Sequence, residues 1–318
     1  MNYIVNYSGG FSSWQAAERV AAKYGTSRLT LLFCDTLMED EDLYRFLIES
    51  AAHVYGIPVE SVSDLAAQAL AVTPIETNDL PKRKRELAAL RQETVDRIRG
   101  LVWLVDGRTP WELCHQQRFI ANSRVDVCSH VLKREISKRW YKKNCRPESS
   151  IRVYGFNHEE DDRAKNLAEA ISPWTAAFPL MEKPYIFQGD YEGVCQAAGV
   201  PLPRLYRMGF WHNNCGGFCF KAGQKAIQVL LKEMPDRYAY HEGKEEGVRQ
   251  YLGKNVSVLQ DRKGGKPKTL TLAQFRTRGE GQRDNDDWGS CSCFYNPEEM
   301  KKSARRLQEV IGIAGDFS

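Results

Sequence analysis

The stretch IVNYSGGFSSWQAA, residues 4–17, sets two glycines and three serines directly behind a short apolar run. Tyr3–Tyr7 is rich in β-formers, while Trp14, Ala17, Val20 and Ala21 recur at helical spacing, so the sequence predicts a strand, a tight turn and a helix from Ser12 through Ala22. Gly9 and Gly10 would let the backbone approach an anion closely, and Ser8, Ser12 and Ser13 would add hydroxyl donors to the free amides of the helix N-terminus. The same residues also suit a plain turn with serine N-caps. On this stretch alone both readings stay open.

Working outward, the strand–helix rhythm continues. Arg28–Thr36 is a near-continuous apolar run ending at Asp35, and an amphipathic segment runs from Asp40 to Tyr55. Pro58–Ser63 reads as a third strand, and Asn78–Gly100 as a highly charged helix opened by a proline and closed by a glycine. Its run Lys82, Arg83, Lys84, Arg85 reads as a solvated face, with contact to a polyanion as the alternative. A strand within LVWLV, a basic amphipathic helix from about Ser129 to Lys143 and a strand at Ile151–Phe156 complete an α/β, Rossmann-like parallel sheet flanked by helices over residues 1–183. Ligands of such sheets gather at the carboxyl ends of the strands, where Ser8–Ser13, Asp35–Thr36 and Gly155–Arg163 all fall. Residues 184–318 read as a smaller, mixed region: helices at Gly189–Ala198, Gln224–Met234 and Glu242–Leu252, a hairpin turning at Gly264–Gly265, and a charged helix after Asn296.

Hydrophobic residues make up 42% of the 318 and charged ones 27%, the balance of a water-soluble globular chain rather than a disordered one. A formal charge of +4 permits contact with nucleic acid but does not argue for it. No apolar stretch approaches the length of a membrane span and the N-terminus opens on a strand, so a cytoplasmic protein without membrane contact is expected. Its nine cysteines are then not expected to form disulfides. Cys34, Cys114, Cys145 and Cys195 are isolated in or beside apolar runs and read as buried, inert thiols. Cys215 with Cys219 and Cys291 with Cys293 are close pairs flanked by glycine, as a metal site requires; zinc or an iron–sulfur cluster would each accept such thiolates.

Three separate places resemble the PP-loop family, the adenine-nucleotide α-hydrolase-like (HUP-type) proteins that include ATP pyrophosphatases and the adenylyl-sulfate and phosphoadenylyl-sulfate reductases. YSGGFSSW is similar to the PP-loop S-G-G-x-D-S, with Ser8, Gly9, Gly10 and Ser13 in register and Ser12 where the motif has aspartate. CSHVLKREISKRW resembles the reductases' C-C-x-x-R-K segment through Cys128 and Lys133, with Ser129 replacing the second cysteine. LYRMGFWHNNCGGFC resembles their later cysteine-pair segment through Cys215 and Cys219, with one extra residue between the two. GFNHEEDDR matches a further family segment loosely, keeping Gly155 and Arg163.

The resemblance implies a site in which Ser8, Gly9, Gly10, Ser12 and Ser13 hold the phosphates of ATP with Mg2+, Asp35, Thr36 and Gly155 flank the nucleotide, and Lys133, Arg134 and Arg163 neutralise charge on the leaving phosphate. It also implies that Cys128, Cys215 and Cys219 gather around a 4Fe-4S cluster, with Zn2+ as the alternative metal; Cys293 is expected as the fourth ligand because Phe294 beside it can shield a cluster from water, with Cys291 as the alternative. The function expected on this footing is adenylation of an acceptor for sulfur transfer. Alternatives are a phosphoadenylyl-sulfate reductase-like oxidoreductase and a non-catalytic nucleotide-sensing module. Expected partners are an adenine nucleotide, a nucleic acid or sulfur-donor protein, and a second copy of the chain in a homo-oligomer.

Overall fold

A computed structural model describes residues 1–122, 125, 127–261 and 266–279. The apolar alternation of the opening run becomes β1 (Asn2–Asn6), the helical spacing behind it α1 (Phe11–Tyr24), and the second apolar run β2 (Leu29–Asp35). Asp40 caps α2 (Glu41–Val54) by accepting from the Asp42 amide at 3.0 Å. Pro58–Ser63 is not a strand. Val59–Val62 forms a 3-10 turn leading into α3 (Ser63–Leu70), because Val62, Leu65, Ala66 and Ala69 recur at helical spacing and that face is buried. The charged helix is α4 (Leu80–Arg97), capped by Asp79, and β3 (Leu101–Val105) and α5 (Pro110–Gln116) come after it.

The basic segment begins as a single α turn, α6 (Val127–Ser129), widens into a π-helical stretch at His130–Glu135, and finishes as α7 (Ile136–Asn144). Then come β4 (Ser150–Val153), α8 (Asp161–Ala170) and β5 (Thr175–Ala177), a three-residue strand that the sequence pattern does not announce. The later chain supplies α9 (Tyr191–Ala197), α10 (Arg204–Arg207), α11 (Gln224–Glu233), α12 (Pro235–Leu252), an antiparallel pair β6 (Leu259–Asp261) and β7 (Lys268–Leu270), and α13 (Leu272–Thr277). The expected turn at Gly264–Gly265, the helix after Asn296, and Cys291 and Cys293 lie outside the described residues.

The five-stranded sheet is parallel throughout, in the order β3-β2-β1-β4-β5, with Val5 opposite Leu31 on one side and Val153 on the other. This is a doubly wound α/β fold, and its direction of progression reverses between β1 and β4. Side chains alternate between two covered faces. Val5, Leu31 and Phe33 pack with Trp14, Phe46 and Leu47 of α1 and α2, while Ile4 and Leu32 meet Tyr141 of α7 on the opposite side. Burial on both faces explains why β2 reads as a continuous apolar run.

Leu180, Cys195, Val200 and Leu202 complete that first core. A second core joins Met38, Trp111 and Cys114 to Phe210, Phe218, Ile227, Tyr238 and Phe275. Among the described residues no helix is long and apolar enough to cross a membrane.

Candidate functional site

The Ser8–Ser13 turn lies at the carboxyl end of β1, at the reversal point of the sheet. Gly9 takes φ +73°, and a Cβ there would sit 2.8 Å from a Leu43 methyl. The Ser13 hydroxyl closes the turn from within, accepting from the Ser8 amide at 3.1 Å and donating to the Gly10 carbonyl at 2.8 Å. The start of α1 has no side-chain cap and no acidic residue in its first turn. The Phe11 amide donates to the Tyr206 hydroxyl at 3.3 Å, but among the described residues nothing accepts from the amides of Gly9, Gly10, Ser12 or Ser13. Uncommitted N–H groups at the positive end of a helix dipole favour an anion.

Gly155, beyond the end of β4, lies directly against this turn: a Cβ there would be 2.7 Å from the Ser12 carbonyl carbon and 2.9 Å from the Ser13 nitrogen. Only glycine fits without moving the backbone. Arg163, at the start of α8, is ion-paired with Glu160 and lies 4.5 Å above the Phe156 ring.

Asp35, expected to flank a nucleotide, faces the interior instead. Its carboxylate is 1% exposed and accepts from the Leu37 amide, the Tyr44 hydroxyl and the Trp103 indole at 2.7, 2.9 and 3.1 Å. Burial pushes its pKa up, against the pull of those three donors. The group shapes the bend after β2 and offers no oxygen to a ligand. Thr36 beside it donates to Glu39 at 2.9 Å.

Glu39, which the sequence pattern did not single out, is the junction of the site. Its buried carboxylate takes the Thr36 hydroxyl, the backbone N–H of Cys215 and, at 3.6 Å, the Lys133 ammonium. Asn213, also unforeseen, donates from Nδ2 to the Gly9 carbonyl at 2.8 Å. The structure thus brings together the Ser8–Ser13 turn, Thr36, Lys133 and the Cys215 turn. Arg134 shares the π-helical stretch with Lys133.

Behind this junction lies a second charged layer. Asp40 and Glu41 are buried and held by Arg237, at 2.6 and 2.9 Å; Arg237 also donates to the Gly216 carbonyl at 3.2 Å. Arg204 adds a second cation on Asp40 at 2.7 Å. Burial alone would raise the Asp40 pKa, but the two arginines outweigh it and hold the carboxyl below its usual range. Arg83 belongs to the same layer. Expected on a solvated face, it is fully buried and donates to the Leu37 carbonyl and the Glu41 carboxylate at 3.0 and 2.6 Å. Its neighbour Lys84 pairs with Glu112 at 2.8 Å. The signal for this layer was in the chain: four consecutive acids, Glu39–Asp42, directly after a strand cannot all be solvated where a helix must pack.

Of the four cysteines expected as buried thiols, Cys114 and Cys195 are buried, whereas Cys34 and Cys145 are half-buried. Burial pushes the thiols of Cys34, Cys114 and Cys195 up to about 12 and raises that of Cys145, so all four stay protonated at neutral pH. Cys215 is buried in the second core and Cys128 packs against the same cluster. Among the described residues no three His, Cys, Asp or Glu side chains form a metal-holding group, so Cys128, Cys215 and Cys219 do not make one by themselves.

No protein-family model matches the chain. A stretch of 121 residues, 38% of this chain, is 28% identical to the mitochondrial phenylalanine–tRNA ligase of Saccharomyces cerevisiae. The match covers 25% of that protein, so the chain spans about a quarter of the length of the curated relative it matches.

Proposed function

We propose that the chain is a PP-loop-type enzyme that binds ATP at Ser8–Ser13 and transfers its adenylyl group to an acceptor for sulfur insertion or a related modification. The observation that carries this reading is the set of four uncommitted amides, of Gly9, Gly10, Ser12 and Ser13, around an uncapped helix start at the reversal point of a doubly wound sheet. In the reaction an acceptor oxygen attacks the α-phosphorus, the bond to the bridging oxygen breaks, and pyrophosphate leaves. The turn amides would bind the departing phosphates. Lys133, near this turn through Glu39 and the Cys215 turn, would balance their growing charge. No group here need act as a nucleophile; positioning and electrostatics supply the catalysis.

A second reading, reduction of a nucleotide sulfate by a thiol, is favoured by one observation: the Cys215 turn is tied to the phosphate turn through Asn213 and Gly9. An iron–sulfur centre, with zinc as the alternative, is part of the proposal. Its support is the shared apolar cluster of Cys128 and Cys215, and its fourth ligand, Cys293 or Cys291, lies outside the described residues. No step of the reaction is routed through it.

Isothermal titration of the purified protein with MgATP and with phosphoadenylyl sulfate separates the two readings. Tight binding of ATP, abolished by Gly10→Val, is the expected result. The valine would enter a space bounded by the Tyr206 hydroxyl, 3.2 Å from the Gly10 Cβ position, without requiring an unusual backbone. Binding of the sulfated nucleotide without ATP would overturn the adenylation reading.

A further inference from the structure

Asn213 is buried, 1% exposed, yet among the described residues its side chain makes a single hydrogen bond. Nδ2 donates to the Gly9 carbonyl, while Oδ1 is buried and among the described residues has no partner. The amide cannot be the other way round, because Oδ1 would then face the carbonyl oxygen of Gly9. A buried acceptor left without a donor is unfavourable, and native structures keep few of them.

The bond has a consequence for the turn. The Gly9–Gly10 peptide is trans, so its C=O and N–H point in opposite directions. Asn213, by holding the carbonyl on its own side, turns the Gly10 N–H away from itself. The direction of one of the four uncommitted amides, that of Gly10, is thus set by a side chain 204 residues away in sequence.

We infer that Asn213 is a positioning residue of the phosphate turn: it fixes the Gly9 carbonyl so that the Gly10 amide faces the phosphates, and its Oδ1 accepts a donor that arrives with the hydrated nucleotide. This rests on the ATP-binding reading. It assigns the Trp211–Asn214 segment to the nucleotide site, a role separate from any metal held by the neighbouring cysteines.

The test is titration of the full chain and two variants with MgATP and with AMP, which lacks the outer phosphates, alongside thermal melts of the unliganded proteins. Asn213→Ala is expected to weaken ATP binding by about tenfold or more, the equivalent of one hydrogen bond. AMP affinity should stay within about twofold and the melting temperature within about 3 °C, because the loss of one satisfied bond is offset by removal of the unsatisfied Oδ1. Asn213→Asp should weaken ATP further than alanine does, since a carboxylate cannot donate to Gly9 and repels the phosphates, again with AMP least affected. Equal affinity of wild type and both variants for ATP overturns the inference and leaves the ATP reading standing. A parallel loss for ATP and AMP, or collapse of the melting temperature in both variants, makes Asn213 a structural residue and overturns it too. Wild-type protein that binds no adenine nucleotide overturns the ATP reading itself.

Discussion

The turns at Ser8–Ser13 and Asn213–Cys219 both carry adjacent glycines, with positive φ at Gly9 in the first and at Gly216 and Gly217 in the second, and they use their backbones in opposite ways. In the first, four amides have no partner among the described residues. In the second, the Cys215 N–H is taken by Glu39, the Gly216 carbonyl by Arg237, and the Gly217 and Phe218 amides by the carbonyls of Asn214 and Cys215 at 3.2 and 3.0 Å. A Cβ on Gly216 would lie 2.7 Å from the Met38 carbonyl oxygen, so that turn is also pressed against the chain just beyond β2. A glycine-rich turn whose polar groups are mostly committed is a fastener. One whose amides are left open keeps donors to spare, and here the Asn213 side chain ties the first kind to the second.

The sharpest way to break this contrast is to release the fastener. Arg237→Met removes the cation shared by Asp40, Glu41, Glu76 and the Gly216 carbonyl, leaving buried Asp40 to Arg204 and buried Glu41 to Arg83 and Arg204. Urea unfolding should show a loss of about 3–5 kcal/mol, the range for breaking a buried pair; a loss below about 1 kcal/mol would mean that the second turn does not depend on this arginine. Gly10→Val, whose added Cβ presses only on the Tyr206 and Ser8 hydroxyls, should cost less than this.

Next in size is Lys133→Ala. Its ammonium is bound to buried Glu39, which keeps its Thr36 and Cys215 donors when the lysine is gone, so the fold should survive. Pyrophosphate release from ATP should slow by about tenfold to a thousandfold, the effect of losing one electrostatic stabiliser. Unchanged turnover would assign the lysine to Glu39 alone.

The smallest effect concerns His241, which stacks on Phe218 of the second turn at 3.8 Å and accepts from the Trp111 indole at 2.9 Å. Burial, with Arg237 and Lys244 adding to it, holds its pKa well below the ordinary imidazole value. The unfolded chain therefore takes up a proton below about pH 6.5 that the folded chain refuses. This contribution to stability is complete above that pH and declines below it, by up to about 1.4 kcal/mol per unit, until the folded pKa is reached. His241→Phe leaves the Trp111 N–H unpaired, at a cost of about 1–3 kcal/mol near pH 8. It should also flatten the acid slope measured by urea unfolding between pH 5 and 7.5. A slope equal to wild type would place the acid sensitivity in other groups.

The sequence was legible where a single periodicity dominates. β1, α1 and β2 emerge from alternation and helical spacing because each lies in the middle of the molecule with its neighbours on both sides. β5 was not legible: Thr175–Ala177 is three residues long and owes its extended form to pairing with β4. Pro58–Ser63 misled because two valines after a proline suit a strand, while the buried face that decided the outcome begins only at Val62. In the site, the turn and Lys133 could be named from local residues. Glu39 and Asn213 could not, because their importance lies in partners 176 and 204 residues away. Arg83 was misjudged for the same reason: a basic run says nothing of the carbonyls and carboxylates waiting beneath it.

The π-helical stretch His130–Glu135 adds a constraint of length to the constraint of chemistry. A π turn closes its hydrogen bonds five residues apart instead of four, so it stores one residue more than the α-helix that continues it. Deleting Glu135 would remove that extra residue and let the segments on either side run on as one helix of ordinary pitch without changing their phase. Tyr141 would stay seated on Ile4 and Leu32, and the change would fall inside the widened turn, on the direction of the Lys133 ammonium that now meets Glu39. The aim of that charge is thus written in the number of residues between His130 and Ile136 as much as in the choice of lysine.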